Sequence, residues 1–199
     1  MKKYEWIFLD LDGTLADSIN ILYDKYIQFL KEFGFVGTKD EFNILNGPSL
    51  KEIISILKKK YNLPGTELTL LKNYENKIES AYKNSITLIP TRFELLFFLK
   101  DQGIKLALVT SLSKKLTMIF LIKNNLEIFF DVIISGDDVK KSKPHPEIYT
   151  LCLLKTQSNK NTTLVLEDSK NGYDSAIASG LKCEIIKNKT PKEISSLFT

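Results

Sequence analysis

Two kinds of hydrophobic pattern alternate along the chain. Tyr4 to Leu9 is a short, continuous apolar run of β type that stops at Asp10. From Ile19 to Phe33 the apolar side chains (Ile19, Leu22, Tyr23, Tyr26, Ile27, Leu30, Phe33) fall at helical spacing, and Gly34 follows as a stop. Thr38-x-x-Glu41 and Ser49-x-x-Glu52 fit capping boxes that open two further helices, with the breaker Asn46-Gly47-Pro48 between them. Pro64-Gly65 turns the chain again. Leu70, Leu71, Tyr74, Ile78, Ala81 and Tyr82 then form another helical stripe. Residues 17–85 therefore read as all-helical.

After Pro90 the pattern changes. Thr91-x-x-Glu94 opens a helix through Lys100 that Gly103 ends. "IKLALVT" (104–110), "FDVIIS" (130–135), "TTLVLE" (162–167) and "CEIIK" (183–187) read as strands. Helices are expected between them, over 114–124, from Pro146 to Lys155 and over 170–179. Strands that are apolar throughout and alternate with helices indicate a parallel sheet covered on both faces. The expected fold is α/β: a Rossmann-like, doubly wound parallel sheet built from residues 1–16 and 86–199, interrupted after its first strand by an α-helical insert, 17–85.

Composition adds limits. With 199 residues, 43% of them hydrophobic, the chain can bury one core and a small second module. The formal charge is only +4, and every basic residue except Arg92 is lysine. A nucleic-acid surface would use clustered arginine, and Lys58-Lys59-Lys60 reads as the solvated face of a helix. Cys152 and Cys183 show no metal-ligand or redox spacing and fit a core in a reducing compartment. The apolar run before Asp10 is too short for a signal peptide, and no stretch approaches a membrane span. A cytoplasmic monomer is expected, with no nucleic-acid or membrane partner.

Ligands of open α/β sheets bind beyond the carboxyl ends of the strands. The first strand ends in Asp10-Leu11-Asp12 and the second in Thr110-Ser111. The third is followed by Lys143 in "KSKPHPE", and the fourth ends in Glu167-Asp168-Ser169. Asp10 and Asp12, two apart in extended chain, share a face. Carboxylates gathered from two strand ends repel unless a cation lies among them, and hard oxygen ligands suit Mg²⁺. Gly13 frees the backbone to turn sharply. Lys143 offers positive charge to a phosphate. The Thr110 hydroxyl and the Ser111 N–H offer hydrogen bonds to its oxygens, and Gly13 is grouped with them as phosphate-binding. The lone histidine, His145, sits between two prolines and leaves no Ser-His-Asp arrangement.

At these residues the chain resembles the haloacid dehalogenase superfamily. "DLDGTLADS" resembles its first motif, Asp-x-Asp-x-Thr; "LALVTSLS" resembles the second, "KSKPHPE" the third and "LVLEDSKNG" the fourth, in order over essentially the whole chain. The insert looks like the small helical cap of the subgroup containing phosphoglycolate phosphatase and β-phosphoglucomutase. The resemblance implies that Asp10 is a nucleophile that becomes an aspartyl-phosphate, and that Asp12 is general acid and then base. It implies a Mg²⁺ site of Asp10, the backbone carbonyl of Asp12, and Asp168, supported by Glu167 directly or through water. Lys143 would pair with Asp10 and the phosphate. In "NGPSLKE", Lys51 would be the basic residue of the cap's substrate loop.

The activity so implied is a Mg²⁺-dependent phosphatase acting on a small phosphorylated metabolite: phosphoglycolate, a sugar phosphate or a nucleotide. A phosphomutase of β-phosphoglucomutase type is the alternative, but the first insert helix, "INILYDK", lacks the histidine of that enzyme. A dehalogenase would not need Asp12. A catalytically inactive binding protein would have lost a nucleophile or metal carboxylate, and none is missing. Asp17 and Ser18 are assigned to the hinge and the start of the first insert helix. Asn171 reads either as a partner of the carboxylates or as a plain first-turn residue.

Overall fold

The first strand, β1 (Trp6–Leu9), is buried along its whole length. Its side chains divide by the two-residue period of a strand: Ile7 and Leu9 enter one apolar cluster, Trp6 and Phe8 another. β1 is thus interior to a sheet with two covered faces. The structure, a computed structural model, describes residues 3–187 and 189–198, so the expected outer limits of the core at 1 and 199 lie outside the described residues.

After β1 come β2 (Ala16–Asp17), α1 (Ile19–Lys31), α2 (Lys39–Leu45), α3 (Leu50–Tyr61), α4 (Glu67–Asn84) and β3 (Thr87–Leu88). The chain continues through α5 (Pro90–Asp101), β4 (Lys105–Val109), α6 (Lys114–Lys123), β5 (Val132–Ile134), α7 (Glu147–Thr156), β6 (Thr163–Glu167), α8 (Lys170–Ala178), β7 (Lys182–Ile185) and α9 (Pro191–Ser195). The main sheet has the order β5-β4-β1-β6-β7, and every pairing is parallel. The chain winds outward from β1 through β4 and β5 on one side, and through β6 and β7 on the other. The switch point is therefore at β1, where such sheets open a crevice at their carboxyl ends. Pairing runs on past the strand ends: Asp10 N donates to Leu166 O at 3.0 Å, and Thr110 N to Ile134 O at 3.0 Å.

Helices α1 to α4 lie between β1 and β4 in sequence. The chain leaves for them through β2 and returns through β3, and these pair antiparallel, Ala16 opposite Leu88 and Asp17 opposite Thr87. Helix α4 packs on α6, with Tyr82 edge-on to Phe120 at 6.3 Å and Lys115 paired to Glu79 at 2.5 Å. Tyr26, Phe29, Leu30, Ile78 and Tyr82 share one cluster with Leu106 and Leu108 of the sheet. Each side chain of this size contributes about 1.5–3 kcal/mol on full burial.

Helix starts depart from the sequence reading in instructive ways. Ser49 and Glu52 form the expected reciprocal box. Thr38 accepts from Glu41 N at 3.2 Å, but the Glu41 side chain turns inward to tyrosines instead of back to the cap. Thr91 caps nothing: α5 begins at Pro90, whose fixed φ already suits a first turn. Ser18 occupies the α1 N-cap without a capping bond, and its hydroxyl reaches the Ala16 carbonyl at 3.4 Å. Among the described residues no helix is long and apolar enough to cross a membrane.

Candidate active site

Three strand ends meet around Lys143. Its Nζ lies 2.7 Å from Asp10 Oδ1, 2.7 Å from Glu167 Oε1 and 3.0 Å from the Val109 carbonyl, which uses all the N–H bonds an ammonium has. Glu167 is enclosed on every side. Its Oε1 also accepts from Tyr149 Oη at 2.7 Å, and its Oε2 from Asp168 N at 3.1 Å. Gly172 lies so close that a Cβ there would be 2.0 Å from the carboxylate. Asp168 follows on the loop into α8. Gly13, with φ +74°, passes beneath it, and a Cβ at Gly13 would stand 2.3 Å from Asp168 Oδ2. Glycine there permits both the left-handed turn and the close approach.

Oxygens of Asp10, Glu167 and Asp168 lie within 4.8 Å of one another, and all three residues are buried. Three carboxylates against one lysine leave two negative charges in excess. Burial, and then repulsion from Glu167, push the Asp10 carboxyl well above the usual carboxylate range despite Lys143. The same two causes, with Asp12 third, push Asp168 up to about 7. Burial opposes the Lys143 charge, but Asp10 and Glu167 outweigh it and raise its pKa. A buried excess of negative charge on hard oxygen donors fits a divalent cation.

Asp12 stands apart from this cluster. Its Oδ1 accepts from the Tyr82 hydroxyl of α4. Burial raises its pKa, while hydrogen bonds from Ser18 and Tyr82 oppose the rise. Thr110 Oγ1 accepts from Leu112 N at 3.2 Å, which leaves its O–H free to donate. Ser111 Oγ is buried and has no partner among the described residues. Asp10, Asp12, Thr110, Ser111, Lys143 and Asp168 form the floor of a cavity of about 70 Å³ roofed by residues of α1 to α4.

This constellation can be set beside known proteins. Residues 7–186 match the haloacid dehalogenase-like hydrolase family. The chain belongs to that family. A Thermotoga maritima protein named phosphorylated carbohydrates phosphatase is 30% identical over 182 residues, covering 89% of this chain and 82% of its own. The pyrophosphatase PpaX of Bacillus pumilus is 29% identical over 178 residues, covering 88% and 80%. The crystal structure of CbbY from Rhodobacter sphaeroides, in complex with phosphate, aligns with a TM-score of 0.79 at 26% identity, over 90% of this chain and 84% of that one.

Not every residue singled out from the sequence of this hydrolase reaches the cavity. Lys51 is exposed and lines a neighbouring groove with Lys140, Glu52 and Ser111, whereas Leu50 lines the cavity itself. Successive helix positions point about 100° apart, so only one of the two can face inward. Gly13 supports Asp168 from below and lines a different groove, beside Asp17. Asn171 is a first-turn residue of α8, the second of the two readings, and not a partner of the carboxylates. It donates to the Asn46 carbonyl at 2.5 Å and the Ile44 carbonyl at 3.1 Å, and so ties the end of α2 and the loop after it to α8. Gly47, with φ +128°, fits only because it lacks a side chain: a Cβ would be 2.5 Å from Asn171 Cβ.

Sequence reasoning also missed partners of the carboxylates. Tyr82 reads only as part of a helical stripe and Tyr149 is not singled out, although a buried tyrosine hydroxyl needs a partner, and that need was the available signal. Asn46 read as a breaker, yet its Nδ2 reaches Asp168 Oδ2 at 3.3 Å. The lone arginine, Arg92, is buried and donates to the Thr14 carbonyl at 2.8 Å and the Ile186 carbonyl at 3.1 Å. It thereby pins the loop that follows Asp10.

Proposed function

We propose that this hydrolase is a Mg²⁺-dependent phosphatase of small phosphomonoesters that uses Asp10 as its nucleophile. One observation carries the reading: Asp10, paired to a buried lysine, lines a roofed cavity while a second carboxylate, Asp12, is held apart from it by Tyr82. Lys143 fixes Asp10 Oδ1 and leaves the other oxygen for attack. That oxygen bonds to phosphorus as the ester P–O bond breaks, and Asp12 gives its proton to the departing alkoxide. Asp12 then takes a proton from the water that attacks the aspartyl-phosphate, which frees Asp10 and phosphate. The raised pKa of Asp12 suits both duties. The Thr110 hydroxyl and the Ser111 N–H supply donors to the phosphoryl oxygens. Asp10, Asp168 and the Asp12 backbone carbonyl would hold Mg²⁺, with Glu167 in support; the ion would offset the charge between nucleophile and phosphate.

Residues 17–85 then serve as a cap that excludes bulk water from the core of 1–16 and 86–199, with the β2–β3 ribbon as the hinge. Cys152 and Cys183 are both free, as suits a reducing cytoplasm. The test is phosphate release from a generic aryl phosphate by the purified chain with and without Mg²⁺. Turnover should need the metal and should fall by about 10⁴ or more in Asp10→Asn, the scale of loss when a nucleophile is removed. Metal-dependent release no greater than that of Asp10→Asn would sink the reading.

A further inference from the structure

The cavity above Asp10 has two unlike halves. Its floor carries the carboxylates, hydroxyls and Lys143 already described. Its roof is apolar: Leu22 of α1, Phe42 of α2, Leu50 and Ile53 of α3, and Ile78 of α4. The polar side chains the roof contributes are Tyr74 and Asn46, and the Asn46 amide already donates to Asp168. Among the described lining residues Lys143 is the only cation, and its three N–H bonds go to Asp10, Glu167 and Val109.

We propose that the leaving group is a small, uncharged alcohol that turns an apolar face to α1–α4, which refines the phosphatase reading and rests on it. A carboxylate or a second phosphate on the leaving group would be buried under leucine, isoleucine and phenylalanine with no positive partner. Such burial is strongly unfavourable. The adjacent groove does not supply the missing charge, because its Lys51 and Lys140 share it with Glu52, Glu67, Glu75 and Asp137.

The experiment compares kcat/KM of the full chain, saturated with Mg²⁺, for n-propyl phosphate, glycerol 3-phosphate, 2-phosphoglycolate and pyrophosphate. Propyl phosphate should exceed phosphoglycolate and pyrophosphate by about a hundredfold, the scale of an unpaired buried charge. It should exceed glycerol 3-phosphate by about tenfold, the scale of an unsatisfied buried hydroxyl. Leu50→Lys, checked for folding by thermal melt, should raise the phosphoglycolate-to-propyl phosphate ratio at least about tenfold. A wild-type preference for phosphoglycolate, pyrophosphate or glycerol 3-phosphate overturns this inference and leaves the phosphatase reading standing. A folded Leu50→Lys with an unmoved ratio does the same. Metal-dependent hydrolysis of none of the four, nor of the aryl phosphate, overturns both.

Discussion

The molecule has two buried glutamates at the centre of similar hydrogen-bond hubs, and they do opposite things. Glu41, in α2, accepts from the hydroxyls of Tyr26 and Tyr61, the latter at 2.6 Å, and pairs with Lys60 at 2.8 Å. Glu167, at the end of β6, accepts from Tyr149 and Lys143, both at 2.7 Å. The ingredients match: a carboxylate, tyrosine and lysine. What differs is the balance of charge. The Glu41 hub holds one acid and one base, and Lys60 keeps its ammonium in water, with 54% of its side chain exposed. Burial works against Glu41, yet Lys60 and the two tyrosines hold its carboxyl below the usual range. The Glu167 hub shares one buried lysine between Glu167 and Asp10 with Asp168 alongside, and burial, then repulsion from Glu167, drives Asp168 up to about 7. A balanced hub joins helices, whereas an unbalanced one beside a cavity calls for a ligand.

Breaking the unbalanced hub should have the largest effect. Lys143→Met leaves Asp10 and Glu167 buried without a counter-charge. Stability should fall by about 3–5 kcal/mol in chemical denaturation, and turnover should become undetectable. A stable, active Lys143→Met would mean that Lys143 does not hold this cluster. In the balanced hub, Tyr26→Phe removes one donor from a carboxylate that keeps two others. The expected loss is about 1–3 kcal/mol of stability, with kcat within about twofold of wild type. An equal loss of kcat would show that the helices and the chemistry are coupled through Glu41.

Acid should separate the hubs as well. The pKa of Glu41 is lowered on folding, so its contribution to stability is fully present above the unfolded value of about 4.3. It is lost as pH falls through the lower folded value. The stability gap between wild type and Glu41→Gln should therefore be constant from pH 7 to about pH 5 and close below about pH 4. A gap that stays constant to pH 3 would contradict the lowered pKa. The smallest effect is expected for Lys51→Ala. Since Lys51 lies outside the cavity, kcat/KM should change by less than about threefold. A larger loss would place Lys51 on the substrate after all.

Much of this was legible in the chain itself. β1, β4 and β6 are apolar through most of their length, and each leads into residues of the candidate site, so strand ends and site were read together. β2 and β3 were not legible, because two residues carry no periodicity. The acids and Lys143 were found from their positions at strand ends. Their supports were not, because Tyr82–Asp12 and Asn46–Asp168 join positions 70 and 122 residues apart. No local pattern marks such a contact. Lys51 lines the neighbouring groove while Leu50 lines the cavity, because a helix's inward face depends on where its first turn starts, and that is set by packing.

The small ribbon of β2 and β3 also bears on how the sheet assembles. β1 must find β4 across the whole of α1 to α4, and long loops slow such pairing. Once Ala16 meets Leu88, that excursion is already a closed loop, and only the turn after β1 and helix α5 still separate the two strands. Because closure entropy grows only logarithmically, by about 0.6 kcal/mol per doubling of loop length, a longer or shorter excursion could stand between β2 and β3 with little change to the rate at which the sheet forms.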